Sequence, residues 1–299
     1  MKITRVMLLI FLFASGCTVR PFENFGKSSF SVTTVSSNYF NVMLQFNAVA
    51  DELGKSLKRS VRILCDWDVN SIKVHLRNRK DYYQLLYLSP VEFCQLNKEI
   101  PLTPIAIRKN LIGKTSEVGL IIVPKNSKIK NMSDLNGKSF VFGPYGDAYR
   151  FYNVLALFKK SKIPVAKLKD VSYSEDNVSA IRRVLLGWAD SAVVTESWWQ
   201  TTTDRTLDLS KLLKDELRII GKTEAVPEYV WAVTETVDAK SQAKVVKVLT
   251  QKLSNKPNVL AGFKAKGFVP VKQKQLLSYC KELQKIKNIP PKPGILQLQ

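Results

Sequence analysis

Between Phe30 and Val35 the side chains alternate apolar and polar, the period of a strand, and Ser36-Ser-Asn-Tyr39 follows as a turn rich in helix-capping residues. Val42, Phe46, Val49, Leu53 and Leu57 then recur every three or four positions, so a helix from about Phe40 to Leu57 is expected to bury one face. The same beat continues: Val61–Cys65 reads as a strand, Asp68–His75 as a short helix, and Tyr83–Leu88 as a buried strand ended by Ser89-Pro90. A second run starts with the apolar strand Val118–Val123. After a turn and short helix stopped by glycine (Ile129–Lys138) come the strand Ser139–Phe142 and a loop, Gly143-Pro-Tyr-Gly-Asp147, that opens a helix through Phe158. Asn177 reads as the cap of an amphipathic helix with Val178, Ile181, Val184 and Leu185 on one side, stopped at Gly187. Ser191–Val194, Leu217–Ile220 and Tyr229–Val233 read as strands, and Ser241–Leu253 as a last helix with Val245, Val248 and Leu249 inward and lysines outward. Strands alternating with helices predict an α/β fold with mostly parallel sheets.

The first residues follow a different rule. Lys2 and Arg5 precede an apolar run of eight, Val6–Phe13, far short of the ~20 residues that span a bilayer. Ala14-Ser-Gly-Cys17 then sets small residues before a cysteine and resembles the lipobox of bacterial lipoproteins. That resemblance implies a signal peptide over residues 1–17, acylation of the Cys17 thiol as a membrane anchor, a linker over 18–28, and a location in the cell envelope, on the periplasmic side of a bacterial membrane.

Export changes the meaning of the charge. The 299 residues carry 46 Lys and Arg against 25 Asp and Glu, a net charge of +21. A surplus of this size points first to nucleic acid, yet an exported chain without a nucleic-acid motif is not expected to bind any. From Asp238 onward there are thirteen lysines, two acids (Asp238 and Glu282) and no arginine. Lysine without arginine reads as a solvated face, or as a diffuse attraction to anionic lipid or cell-wall polymer, rather than bidentate recognition. With Cys17 acylated, Cys65, Cys94 and Cys280 remain, without metal-ligand spacing. In an oxidising compartment Cys65 and Cys94 either pair or stay as buried thiols. His75 is the one histidine and has no evident catalytic partner; there is no G-x-S-x-G, H-E-x-x-H or phosphate-loop motif. No enzyme, cofactor or metal is expected.

The order of motifs carries a further resemblance. Ile129–Lys138 resembles the turn-helix-glycine segment of type II periplasmic binding proteins, Asn177–Val194 with Gly187-x-x-Asp190 their helix-strand segment, Gln84–Pro90 their "DiayLsP" segment, and Leu217–Ile220 with Val226-Pro227 their return segment. Together these resemble the phosphate/phosphite/phosphonate-binding branch of ABC-transporter receptors, over about Phe30 to Lys285. The resemblance implies two α/β lobes, one over 27–122 plus 230–299 and one over 123–229. It further implies a two-strand hinge, a small-molecule ligand, a membrane permease as partner, and a monomer. In that branch a Ser-Thr-Ser-Gly-like loop holds the phosphonate at a helix N-terminus. Here Gly143–Tyr149 has no Ser or Thr, and the resemblance implies that Asp147 would itself occupy the anion position.

Open α/β sheets bind ligands outside the carboxyl ends of their strands, which nominates Tyr39, Tyr87, Ser89, Tyr145, Gly146, Asp147, Asn177, Thr195 and Glu196. Most have a plainer role open to them: turn tyrosine (Tyr39), core ring (Tyr87), simple turn (Tyr145 to Asp147), helix cap (Asn177), solvated acid (Glu196). Two other functions stay open from sequence alone, ligand sensing for a membrane kinase and a structural envelope role with a degenerate pocket.

Overall fold

The computed structural model describes residues 29–203, 215–286 and 289–290. Cys17, the signal peptide and the expected linker lie outside the described residues.

The alternation at the start becomes β1 (Phe30–Val35), whose end turns into α1 (Tyr39–Leu57). The Asn38 side chain accepts from the Asn41 amide to start that helix, and Lys58, in the left-handed region at φ 56°, ends it. β2 (Val61–Asp66) leads through an Asp68 cap into α2 (Val69–Asn78). β3 (Leu85–Leu88) leads into α3 (Pro90–Leu96), opened by a capping box in which Ser89 and Glu92 satisfy each other's backbone amides. β4 (Leu102–Lys109) follows. β5 (Ser116–Glu117) then crosses to a second set of elements: β6 (Gly119–Pro124), β7 (Ser139–Phe142), a wide turn Ala148–Tyr152 running into α4 (Asn153–Lys160), β8 (Asp170–Tyr173), α5 (Asn177–Leu185), β9 (Ser191–Thr195), α6 (Glu196–Thr203) and β10 (Leu217–Lys222). β11 (Val226–Pro227) crosses back. β12 (Val230–Thr234), α7 (Ala239–Lys247), α8 (Pro257–Gly262), β13 (Gly267–Pro270) and α9 (Gln273–Leu283) complete the first set.

Two mixed sheets result, ordered β13-β4-β12-β3-β1-β2 and β10-β6-β9-β7-β8. β5 and β11 pair antiparallel as the two-strand hinge between them. Parallel pairing is confined to β1 with its neighbours β2 and β3, and β7 with β8 and β9. The expected predominance of parallel pairs is therefore not found: antiparallel pairs outnumber parallel ones in the first sheet and equal them in the second. The strands next to each crossing, β6 and β12, lie antiparallel to the neighbours they join. β6 hydrogen-bonds within the second sheet, so the first crossing lies at Ser116–Glu117 rather than at 122–123.

Each sheet is covered on both faces. In the first lobe α1, α7 and α8 close over Phe46, Tyr87, Trp231, Phe263 and Phe268, while α2, α3 and α9 cover Ile72, Leu88, Phe93 and Leu276. Phe46 packs edge-on to Trp231 at 5.5 Å between centroids, the arrangement the ring quadrupole favours. In the second lobe Phe140, Phe142, Phe151 and Phe158 fill one face; Val141, Ile181, Val184 and Val194 fill the other.

The two sheet faces decide the cysteine pairing. Cys65 packs in the core on one face of the first sheet, and Cys94 in the core on the opposite face. The alternative in which they bridge is thus ruled out: Cys94 is bonded instead to Cys280 of α9, with 5.2 Å between their Cα atoms. Beyond α9 the chain crosses to the second lobe. Ile286 packs against its core, Lys159 Nζ donates to the Lys285 carbonyl at 3.4 Å, and the Tyr145 hydroxyl donates to the Pro290 carbonyl at 3.1 Å.

Candidate functional site

The carboxyl ends of β1, β3, β7 and β9 point into one cleft of about 400 Å3 between the lobes. From the first lobe it is lined by Thr34 and Ser36 at the end of β1, by Asn41 and Gln45 on the first turns of α1, and by Tyr87 and Arg108. The second lobe contributes Asp147, Arg150, Asn177, Thr195 and Trp198, and the hinge contributes Glu117 and Tyr229.

Asp147 organises the second-lobe wall. Its Oδ1 accepts the Tyr149 amide at 3.0 Å and the Arg150 amide at 2.6 Å. These are the free N–H groups with which a helix start otherwise binds an anion. The backbone turns into this cap at Gly146, whose φ of +84° suits glycine, and a side chain there would meet nothing within 4 Å. Asn177 lines the cleft but does not cap α5. Asp176 does, accepting from the Ser179 amide, while Asn177 is held across the cleft wall by Thr195. Thr195 donates its amide to Asn177 Oδ1 at 3.1 Å, and Asn177 Nδ2 donates to the Thr195 hydroxyl at 3.3 Å. The expected cap was off by one residue because aspartate and asparagine are adjacent and both cap well.

Three charged groups that line the cleft, Arg108, Glu117 and Arg150, were not anticipated, nor was Glu228, the partner of the first. Arg108, at the end of β4, donates Nε and Nη2 to Glu228 Oε2 at 2.9 and 2.6 Å and Nη1 to the Phe263 carbonyl at 2.9 Å. Its guanidinium lies 4.8 Å over the Tyr229 ring, which stacks on Tyr87 at 5.2 Å. Glu228 is fully buried and also accepts the Tyr149 hydroxyl at 3.1 Å, so this ion pair joins the first lobe, the hinge and the second lobe. Glu117 accepts the Val118 and Ser197 amides and the Ser197 hydroxyl. Burial pushes its carboxyl above the usual range, opposed by those hydrogen bonds. Arg150 is the third, one helical turn after Asp147. Sequence offered a signal for it alone, a cation directly behind a candidate cap; Arg108 and Glu228 lie 120 residues apart.

Four of the nominated residues thus line the cleft: Tyr87, Asp147, Asn177 and Thr195. Five do not. Tyr39 begins α1 with its ring half-exposed, although the next turn of that helix reaches the cleft. Ser89 is consumed in the α3 capping box. Tyr145 turns away from the cleft and packs on Phe151 and Tyr173 at 4.7 and 5.9 Å. Gly146 supplies only the turn. Glu196 is buried beside Lys114 and Lys222, with ion pairs of 2.9 and 3.6 Å, and braces α6 against the hinge. His75 is partnered after all, 3.3 Å from Asp66 and 3.0 Å from the Tyr83 hydroxyl, but this cluster does not line the cleft.

A family model described as the periplasmic substrate-binding protein of a phosphonate ABC transporter matches residues 34–276. The chain belongs to this family of periplasmic phosphonate receptors. Members of the receptor family work outside the cytoplasmic membrane as solute-binding components. No helix among the described residues is long and apolar enough to cross a membrane. No curated protein matches the chain. Among solved structures, XAC2383 from Xanthomonas citri bound to ATP is similar with a TM-score of 0.71 at 16% identity, covering 88% of this chain and 100% of that one. PhnD1 from Prochlorococcus marinus in complex with methylphosphonate gives 0.66 at 16% identity, covering 86% and 97%. Mh-p37 from Mycoplasma hyorhinis, a putative thiamine pyrophosphate transporter, gives 0.63 at 10% identity, covering 87% and 99%. At these identities the likeness is one of fold, and fold does not dictate the ligand.

Proposed function

We propose that this receptor closes its two lobes on a small solute held between Tyr87 of the first lobe and Asp147, Asn177 and Thr195 of the second. It then delivers that solute to a membrane permease, performs no chemistry of its own, and acts as a monomer tethered by acylated Cys17. A ligand that touches both walls favours the closed state by its differential affinity, and β5 with β11 is the element about which the lobes turn. Simple phosphonates and phosphate are poor ligands in this reading. The observation that carries it is the Asp147 carboxylate on the Tyr149 and Arg150 amides: the anion seat of the helix is filled by the protein itself.

Replacing that carboxylate is the direct test. Asp147→Ala leaves both amides open, so methylphosphonate affinity, measured by calorimetry, is expected to rise by roughly tenfold or more, the scale of one charge-assisted hydrogen bond. The lost cap is expected to cost about 1 kcal/mol of stability. An affinity unchanged or lowered by Asp147→Ala would show that the helix start is not where an anion binds.

A further inference from the structure

Five charged side chains line the cleft: Arg108, Glu117, Asp147, Arg150 and Lys264. Two are spoken for. Arg108 is neutralised by Glu228, and Glu117 is covered by Ser197 and two amides. Lys264 is exposed. Asp147 and Arg150 remain, and among the described residues neither takes part in an ion pair, with each other or with anything else.

Arg150 is built into the wall. It is only 8% exposed, its Nη2 donates to the Glu175 carbonyl at 3.2 Å, and its Nη1 is buried without any partner. A buried unpaired donor on a charged group costs more than a satisfied one gains, so an empty Nη1 beside a cleft marks a place kept for an acceptor. Gly143 makes room for it. A Cβ at that position would stand 2.4 Å from Arg150 Cβ and 3.0 Å from its Nε, so no other residue leaves the guanidinium where it is. Across the cleft the Tyr87 hydroxyl is also buried, and its proton has no acceptor, because the Arg108 guanidinium beside it can only donate. On the acidic side, both amides bonded to Asp147 use Oδ1, which leaves Oδ2 for a donor from the ligand.

Resting on the assignment of the ligand to this cleft, we infer that the solute is a small zwitterion of the α-amino acid class, its carboxylate held by Arg150 Nη1 and the Tyr87 hydroxyl and its ammonium by Asp147. The donor count separates a carboxylate from a phosphonate. A phosphonate group exposes three terminal oxygens and carries up to two charges. With the helix amides consumed by Asp147, the buried side-chain donors left without a partner on residues that line the cleft are Arg150 Nη1 and the Tyr87 hydroxyl. Two donors satisfy a two-oxygen group, and one guanidinium balances a single charge. A volume of about 400 Å3 accommodates an amino acid with a side chain of moderate size.

The test varies the ligand before the protein. The purified protein is screened against the L-α-amino acids by thermal shift, and the tightest is compared by calorimetry with its amine lacking the carboxylate, its acid lacking the ammonium, and its aminophosphonate isostere. The expected result is that at least one amino acid binds, and that each of the three analogues binds roughly tenfold to a hundredfold more weakly. Arg150→Gln is then expected to erase the preference for the amino acid over its amine. Binding of no L-α-amino acid, or tighter binding of the aminophosphonate, overturns the inference. If methylphosphonate or another non-zwitterion binds instead and loses affinity in Tyr87→Phe, the cleft assignment stands and only the ligand class falls. If an amino acid binds with the same affinity in Arg150→Gln and Tyr87→Phe, both fall.

Discussion

Cys94→Ala with Cys280→Ala is expected to lower the melting temperature of the protein by roughly 10 °C. The bridge joins residues 186 apart in sequence. In the chain-entropy account, a loop of that length removes enough freedom from the unfolded chain to contribute about 5 kcal/mol, at the top of what disulfides provide. The bond also has a local role. α3 carries Ser89 and Glu92 at one end, α9 packs over it through Leu276, and the tail beyond α9 reaches the second lobe at Ile286 and Pro290. Without the bridge this third connection between the lobes loses its anchor, and proteolysis is expected to begin in the segment after Leu283. A shift below about 3 °C in the double variant would mean that α3–α9 packing alone accounts for the anchorage, since one or two kcal/mol moves a domain of this size by only a few degrees.

Arg108→Ala is the second large effect. It leaves Glu228, which has no exposed surface, with the Tyr149 hydroxyl as its remaining side-chain donor. Removing one partner of a buried pair strands the other charge, a loss of about 3–5 kcal/mol. Adding Glu228→Gln to Arg108→Ala removes the stranded charge and is expected to recover a sizeable part of that loss. Urea unfolding of the two single variants and the double variant gives the coupling directly. Additive losses would mean that the two side chains contribute separately, through the Phe263 carbonyl and the Tyr149 hydroxyl, and not as a pair.

The sequence pattern located nearly every strand that ends at the cleft. Phe30–Val35, Ser139–Phe142 and Ser191–Val194 lie within a residue of their observed bounds. Their periodicity is set by backbone geometry and burial, which are local. Consequently the loop at Asp147 was legible as a helix start and as a site. What was not legible is direction and distance. Nothing local says that Tyr145 turns outward to Phe151 and Tyr173 while Asp147, two residues on, turns to the cleft. That choice is made by the aromatic core of the second lobe and by a tail carbonyl 145 residues away. The partnerships of Arg108 with Glu228 and of Cys94 with Cys280 likewise depend on which sheet face each strand or helix covers, fixed only when the lobes are complete. α3 escaped notice because it is seven residues long and fully apolar on its buried side, too short for its period to register. Ser89 was nominated for the ligand on its position at a strand end, and its observed role, capping α3, is one that Ser-Pro-x-Glu announces once the helix is known.

In this receptor of the phosphonate family, the Asp147 carboxylate fills the anion seat of its own helix. The most direct measurement is the melting temperature of the wild-type protein with about 1 mM methylphosphonate, and separately with phosphate. Binding at a Kd of about 1 μM would stabilise the folded state by about 4 kcal/mol and raise the melting temperature by roughly 10 °C. The account predicts a shift within about 1 °C for both anions, corresponding to affinities no tighter than about 1 mM. A rise of several degrees with methylphosphonate would contradict it, and would mean that the phosphonate displaces the Asp147 carboxylate from the Tyr149 and Arg150 amides or binds outside them.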